Sequence, residues 1–195
     1  SEGPDCGGSF GPYDQSKRSS SYVSTLWKLA EMDLIYPCLK SRKEIRGNGL
    51  TSRRADEFLF PEEFRPTNKH SIEQDFPGDV NWRFRVEWNK TISFFDGARG
   101  MQQFVTGKDF SDFLVWRKEG VASYELASVA DDHTMDITEI VRGEDLLLSS
   151  ARQCVLFDEL GWPRPDFYHC ELLLDKEGRK LSKSERNLPR LFSSL

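Results

Sequence analysis

The sequence predicts an α/β protein with a β-rich, loop-rich segment set into it. Three observations carry that prediction. Beyond residue 120 the chain alternates helix-like and strand-like stretches. Between residues 82 and 88 apolar side chains fall on every second position, and an apolar return strand follows a turn. From 39 to 79 the chain is polar, rich in Gly, Pro and mixed charge, and sustains no period, as expected of an inserted connecting segment.

Residues 1–13 read as loop. The spacing of Tyr22, Leu26, Leu29 and Ala30 predicts a helix over roughly 15–33. "YPC" at 36–38 ends it, because Pro37 cannot continue a helix. In "NWRFRVEWNKTISFFDG", Trp82, Phe84, Val86 and Trp88 alternate with Arg83, Arg85 and Glu87. Asn89-Lys90 reads as a tight turn, so the stretch is expected to fold back on itself as a hairpin. "MQQFVTG" and "DFLVWRKEG" read as two more strands. "ASYELASVADDH" is expected to be helix, "ITEIVRG" a buried strand, and "SSARQCVLFDELGW" a helix capped by Ser149 or Ser150 and ended by Gly161. "DFYHCELLLD" is the next strand. Strand, helix, strand at this spacing predicts a parallel crossover, with ligands at the carboxyl ends of its strands. "VRGED" and "GRKLSKS" both lie there.

Composition bounds the rest. Of 195 residues, 37% are hydrophobic, 30% charged and 12% aromatic, which suits a folded domain. No apolar run reaches the roughly 20 residues needed to cross a bilayer. There is no leader-like segment, so the chain is read as cytoplasmic, with no membrane partner. A net charge of −5 argues against wholesale coating of nucleic acid, although local basic clusters occur at 40–46, 52–54 and 178–183. Cys6, Cys38, Cys154 and Cys170 form no C-x-x-C pair, and reduced thiols are expected.

Lys180 and Lys183 sit three apart in "GRKLSKS", with Ser182 and Ser184 beside them. Flexible ammonium groups can meet the charge that gathers on a departing phosphate. The spacing alone is weak. The run "KLSKS" after an apolar strand, however, resembles the second signature of the class I aminoacyl-tRNA synthetases. "DFLVWRKEGVASYELASVADDHTMDITEIVRGED" and its continuation resemble the glutamyl branch of that class, and so does the opening "EGPDCGGSFGPYDQSKR". The middle, "NWRFRV" to "DFLVW", is most similar to the short glutamyl-queuosine tRNA(Asp) synthetases.

That resemblance implies a partial Rossmann-type catalytic core. Residues 1–36 would end its first half, 37–112 would be the connecting insertion, and 113–195 its second half. It implies ATP-dependent activation of glutamate to glutamyl-adenylate, then transfer to the queuosine base at the wobble position of tRNA(Asp). Lys183, with Ser182, would contact ATP and Lys180 would assist. Tyr124 and Arg142 stand at the two family positions that bind glutamate, and a guanidinium suits a carboxylate because it can donate two parallel hydrogen bonds. Magnesium would accompany ATP. Many relatives carry zinc in the insertion, but here Cys38 is followed by Lys40, Phe60 and Phe64 at the remaining ligand positions, so no zinc is expected. Asp131 and Asp132 read as structural, holding the connection from helix to strand. His133 and His169 are expected to satisfy local hydrogen bonds, and His70 to lie at the surface.

The family's first signature is not in this sequence, so the chain reads as an interior segment of a longer monomeric enzyme or of a truncated gene, with exposed sheet edges. Two other readings stand beside it: a glutamyl-tRNA synthetase charging tRNA(Glu), and a non-catalytic remnant.

Overall fold

In the computed structural model, residues 2–3, 5–54, 57–67 and 76–174 are described. After a 3-10 turn at Gln15–Lys17, helix α1 spans Ser19–Glu31 and buries Tyr22, Leu26 and Leu29. The chain then does not leave the fold at Pro37. Ile35–Cys38 is strand β1, paired antiparallel to β2 (Asn81–Phe84), with Pro37 opposite Trp82. β1 lies at the edge of its sheet, where a proline's missing N–H costs no ladder bond. A short helix, α2 (Arg42–Gly47), interrupts the expected loop, started by a reciprocal capping box between Ser41 and Glu44.

Two four-stranded sheets result. The first runs β1-β2-β5-β6, with β5 at Phe113–Arg117 and β6 at Val121–Ala122. The second runs β4-β3-β8-β7, with β3 at Thr91–Asp96, β4 at Gly100–Val105, β7 at Glu139–Gly143 and β8 at Asp166–Cys170. The expected hairpin from 81 to 96 is therefore not formed: β2 pairs with β1 and β5, while β3 pairs with β4 and β8. The chain crosses between sheets over residues 85–90. The Val86 N–H donates to the Asp112 carboxylate at 3.0 Å, and the Thr106 hydroxyl accepts from Lys90 N–H at 3.0 Å, so tertiary partners take the bonds a hairpin would have used. The period-two burial still holds, because Trp82, Phe84 and Val86 all point into the core.

Helix α3 (Tyr124–Thr134) is capped by Ser123, whose hydroxyl accepts from Leu126 N–H. Helix α4 (Leu147–Glu159) starts earlier than expected. Its N-cap is Leu146, and Ser149 and Ser150 lie inside its first turn, with the Ser150 hydroxyl donating back to the Leu146 carbonyl. Gly161 ends it in the left-handed region, at φ 68°. β7, α4 and β8 make the parallel unit, with Arg142 opposite His169 in register. Among the described residues β7 is an edge strand, not the buried one expected, and Val141 is 59% exposed. One apolar core is shared by α1, α3, α4 and both sheets. No helix among the described residues is long and apolar enough to cross a membrane.

Candidate active site

The carboxyl ends of β7 and β8 place Arg142 and His169 side by side, and α3 and α4 bring three polar side chains onto them. Arg142 Nη1 donates to the Tyr124 hydroxyl at 3.2 Å. Its Nη2 donates to Ser150 Oγ at 2.5 Å and to Gln153 Oε1 at 2.6 Å. Its Nε donates to His169 Nε2 at 3.3 Å. Four of the five guanidinium N–H bonds are thus engaged by described neighbours. What Arg142 and Tyr124 offer a ligand together is one Nη1–H and the phenol's own O–H, side by side. The expected two-bond guanidinium fork is replaced by a donor pair shared between two residues. Tyr124 is 45% exposed, whereas Ser150, Gln153 and His169 are fully buried.

Tyr124 and Arg142, singled out in the sequence from two separate motifs, lie one hydrogen bond apart, and no motif in the sequence pointed to what holds them. Asp96, at the end of β3, is fully buried. Its carboxylate accepts from His169 Nδ1 at 2.5 Å and from the amides of Ala98 and Arg99 at 3.0 Å each. Burial pushes the Asp96 carboxyl up, but the His169 ring, the His169 amide and the Ala98 amide outweigh it and leave it below the ordinary carboxylate range. Gly143 ends β7, and a Cβ there would lie 2.6 Å from Asp145 Oδ1, so a larger residue would force the Asp145 side chain aside. Glu144 follows, pairing with Arg99 and accepting from Leu172 N–H at 3.4 Å, so "VRGED" is tied to the stretch that leads toward "KLSKS". Lys180, Ser182 and Lys183, like His70, lie outside the described residues.

A cavity of about 390 Å³ opens beside Tyr124, lined by Ser123, Glu125, Arg117, Glu57 and Arg152 among others. Arg152 pairs with Glu57 and reaches Glu125 at 3.5 Å, so it ties the stretch around Glu57 to α3 and α4 beside the cavity. Asp131 does hold structure, but between two helices rather than from helix to strand. It accepts from Arg18 Nε at 2.5 Å and from the Tyr22 hydroxyl at 2.9 Å, fastening α1 to α3. His133 stacks on Trp162 at 3.8 Å.

Cys38, Phe60 and Phe64 share one small apolar cluster with Tyr36 and Ile45. Lys40 Nζ lies 4.7 Å from the Phe64 ring centroid. These residues do not fit zinc: they supply one thiol, two rings and an ammonium, where a structural site needs four donor atoms. Among the described residues no group of three or more His, Cys, Asp or Glu is placed to hold a metal ion.

The catalytic-domain model of the class I tRNA synthetases (E and Q) matches residues 4–192. The chain belongs to that family. Its relatives include a glutamate–tRNA ligase of Oceanobacillus iheyensis, 33% identical over 96% of this chain and 39% of the relative. A glutamyl-Q tRNA(Asp) synthetase of Nitratidesulfovibrio vulgaris is 36% identical over 96% of this chain and 58% of its own length. The crystal structure of a glutamate tRNA ligase from Elizabethkingia meningosepticum in complex with its amino acid superposes with a TM-score of 0.74 at 28% identity, covering 93% of this chain and 38% of that one. The chain thus spans between 39% and 58% of the curated relatives it matches here. Within the family's α/β catalytic domain, the Arg142–Tyr124 pair stands at the carboxyl ends of parallel strands, where open α/β sheets bind ligands.

Proposed function

We propose that this chain carries the glutamate-activating centre of a glutamyl-queuosine tRNA(Asp) synthetase. The observation that carries the reading is the Arg142–Tyr124 donor pair at the carboxyl ends of β7 and β8, beside a polar cavity. One N–H and one O–H, backed by a full positive charge, suit a carboxylate of glutamate. The other carboxylate attacks the α-phosphorus of ATP. The bond to the β-phosphate oxygen breaks, glutamyl-adenylate forms and pyrophosphate leaves. No base is needed, because the nucleophile is already ionised. Lys183 and Lys180, with Ser182, are proposed to meet the charge that builds on the leaving pyrophosphate, with magnesium as its counter-ion. The activated carbonyl then passes to a hydroxyl of queuosine in tRNA(Asp), and AMP departs. The higher identity to the glutamyl-Q relative supports that acceptor over a tRNA terminus. The insertion is proposed to hold no zinc and the enzyme to work as a cytoplasmic monomer.

The test uses the full-length protein. Glutamate-dependent exchange of pyrophosphate into ATP is expected, followed by transfer of labelled glutamate only to tRNA that contains queuosine. The label should survive removal of the tRNA 3′ terminus. Loss of the label on that treatment would support a glutamyl-tRNA synthetase instead. Absence of exchange would support a non-catalytic remnant.

A further inference from the structure

Among the described residues no carboxylate forms an ion pair with Arg142, although Asp132 feels its charge; the Arg142 Nε–H instead meets the far end of a buried imidazole. His169 and Asp96 are both fully buried, and neither can touch a ligand in the cavity. Their hydrogen bonds fix the proton on the ring. Asp96 accepts at Nδ1 over 2.5 Å, so that nitrogen carries the hydrogen. Nε2 must then accept, and it faces Arg142 Nε–H at 3.3 Å and the Ser150 hydroxyl at 2.8 Å, whose single hydrogen is shared between Nε2 and the Leu146 carbonyl at 3.1 Å. A second proton on the ring would aim an N–H at the guanidinium N–H and set two cations together. The carboxylate therefore acts on Arg142 through the ring, by choosing the tautomer that can accept from Nε. Ser150 and Gln153 take the two Nη2 hydrogens and leave Nη1 beside Tyr124.

We propose that Asp96 and His169 are positioning residues of the glutamate site, with Asp96 locking the His169 tautomer that orients Arg142. The proposal rests on the glutamate-activation reading above.

Asp96→Asn changes one atom. The new amide keeps its oxygen on the Ala98 and Arg99 amides, where the His169 amide also lies at 3.2 Å, and turns its NH2 toward the His169 ring, which moves the ring proton to Nε2. An N–H then opposes Arg142 Nε–H, and the guanidinium must turn away. In the full-length protein the glutamate KM in pyrophosphate exchange is expected to rise about tenfold or more, because a hydrogen bond to a charged group is lost. The ATP KM should move less than about twofold, since no ATP contact is altered.

His169→Gln supplies the discriminating background. A glutamine places an amide oxygen where Nε2 stood and has no tautomer to lose. Adding Asp96→Asn to it should cost less than about threefold further, a non-additive cycle that independent structural damage would not give. Should Asp96→Asn alone fail to fold, Ser150→Ala and His169→Gln, singly and together, test the same coupling from the other end. A glutamate KM within twofold of the parent for Asp96→Asn, or full additivity in the cycle, would overturn the proposal. A parent protein with no glutamate-dependent exchange at all would instead overturn the functional reading on which it rests.

Discussion

Arg142 shows how much of a site one residue can carry, and how little of its setting a motif reveals. Its place in "IVRGED" and that of Tyr124 in "SYELA" are legible because each belongs to a local pattern. Asp96 reaches His169 across 73 positions of sequence, so no window along the chain contains both. Tyr124→Phe removes the hydroxyl that accepts from Arg142 and that the proposed function assigns to the glutamate carboxylate. The glutamate KM of the full-length protein should rise about tenfold, with the melting temperature held within a degree or so, because this side chain is half exposed and packs little. Steady-state exchange kinetics and a thermal scan check both halves. Asp132 makes a separate prediction. Burial lifts its carboxyl to about 6 from 3.8, with Arg142 opposing and Asp131 adding. Between those two values the native state holds a proton that the unfolded chain has released. Stability therefore falls as pH rises from about 4 to about 6, and stays lowered above. Asp132→Asn removes that cost. The variant should be more stable than the parent by roughly 1–2 kcal/mol at about pH 8, after allowance for partial screening by solvent, and by nothing near pH 4. Urea unfolding across that range decides it, and a gain that grows toward acid would refute the assignment.

At the scale of elements, periodicity told which faces are buried and not which strands meet. The alternation through Trp82, Phe84 and Val86 is real, and Asn89 does turn, at φ 60°. The turn nevertheless joins two sheets. Pro37 does forbid helix, but an edge strand satisfies it as well as a loop does. Ser41 and Glu44 carry a capping-box signature inside a stretch whose Gly and Pro content points to loop, and they start α2. What decides the crossover is Asp112, which is buried at 3% exposure. Its carboxylate accepts from Arg65 Nε at 2.7 Å and Nη2 at 2.6 Å, from the Tyr36 hydroxyl at 2.5 Å and from Val86 N–H at 3.0 Å. One carboxylate thus joins β1, the turn at 62–65, the end of β2 and the start of β5. Asp112→Ala strands the Arg65 guanidinium, whose side chain is 11% exposed, with Glu62 as its one remaining counter-charge among the described residues. A loss of about 3–5 kcal/mol in unfolding free energy is expected from denaturant titration. A loss below about 1 kcal/mol would mean that the charge is dispensable and packing alone sets the crossover.

Across the whole molecule the two sheets do not form separate cores. The main cluster joins Trp82, Phe84 and Trp116 of the first sheet to Ile92, Phe94 and Phe104 of the second, with α1, α3 and α4 packed on the same side chains. A second cluster around Tyr36, Cys38, Ile45 and Phe60 is small, but β1–β2 pairing and the Tyr36–Asp112 bond lash it to that core. Apolar burial and a cation over the Phe64 ring hold it, the first contributing by area and the exposed cation–π contact by about 0.5–1 kcal/mol. Two consequences follow from one cause. The five tryptophans lie on α1, on the first sheet, at the crossover and after α4, so their fluorescence samples the whole fold. Its unfolding transition should coincide with that of far-ultraviolet circular dichroism. A chelator such as EDTA should shift neither midpoint, because metal-dependent folding free energy is absent from a site with a single thiol. Two separated transitions would show that the insertion melts alone. A midpoint that drops with chelator and recovers with added zinc would show that donors outside Cys38, Lys40, Phe60 and Phe64 complete a metal site.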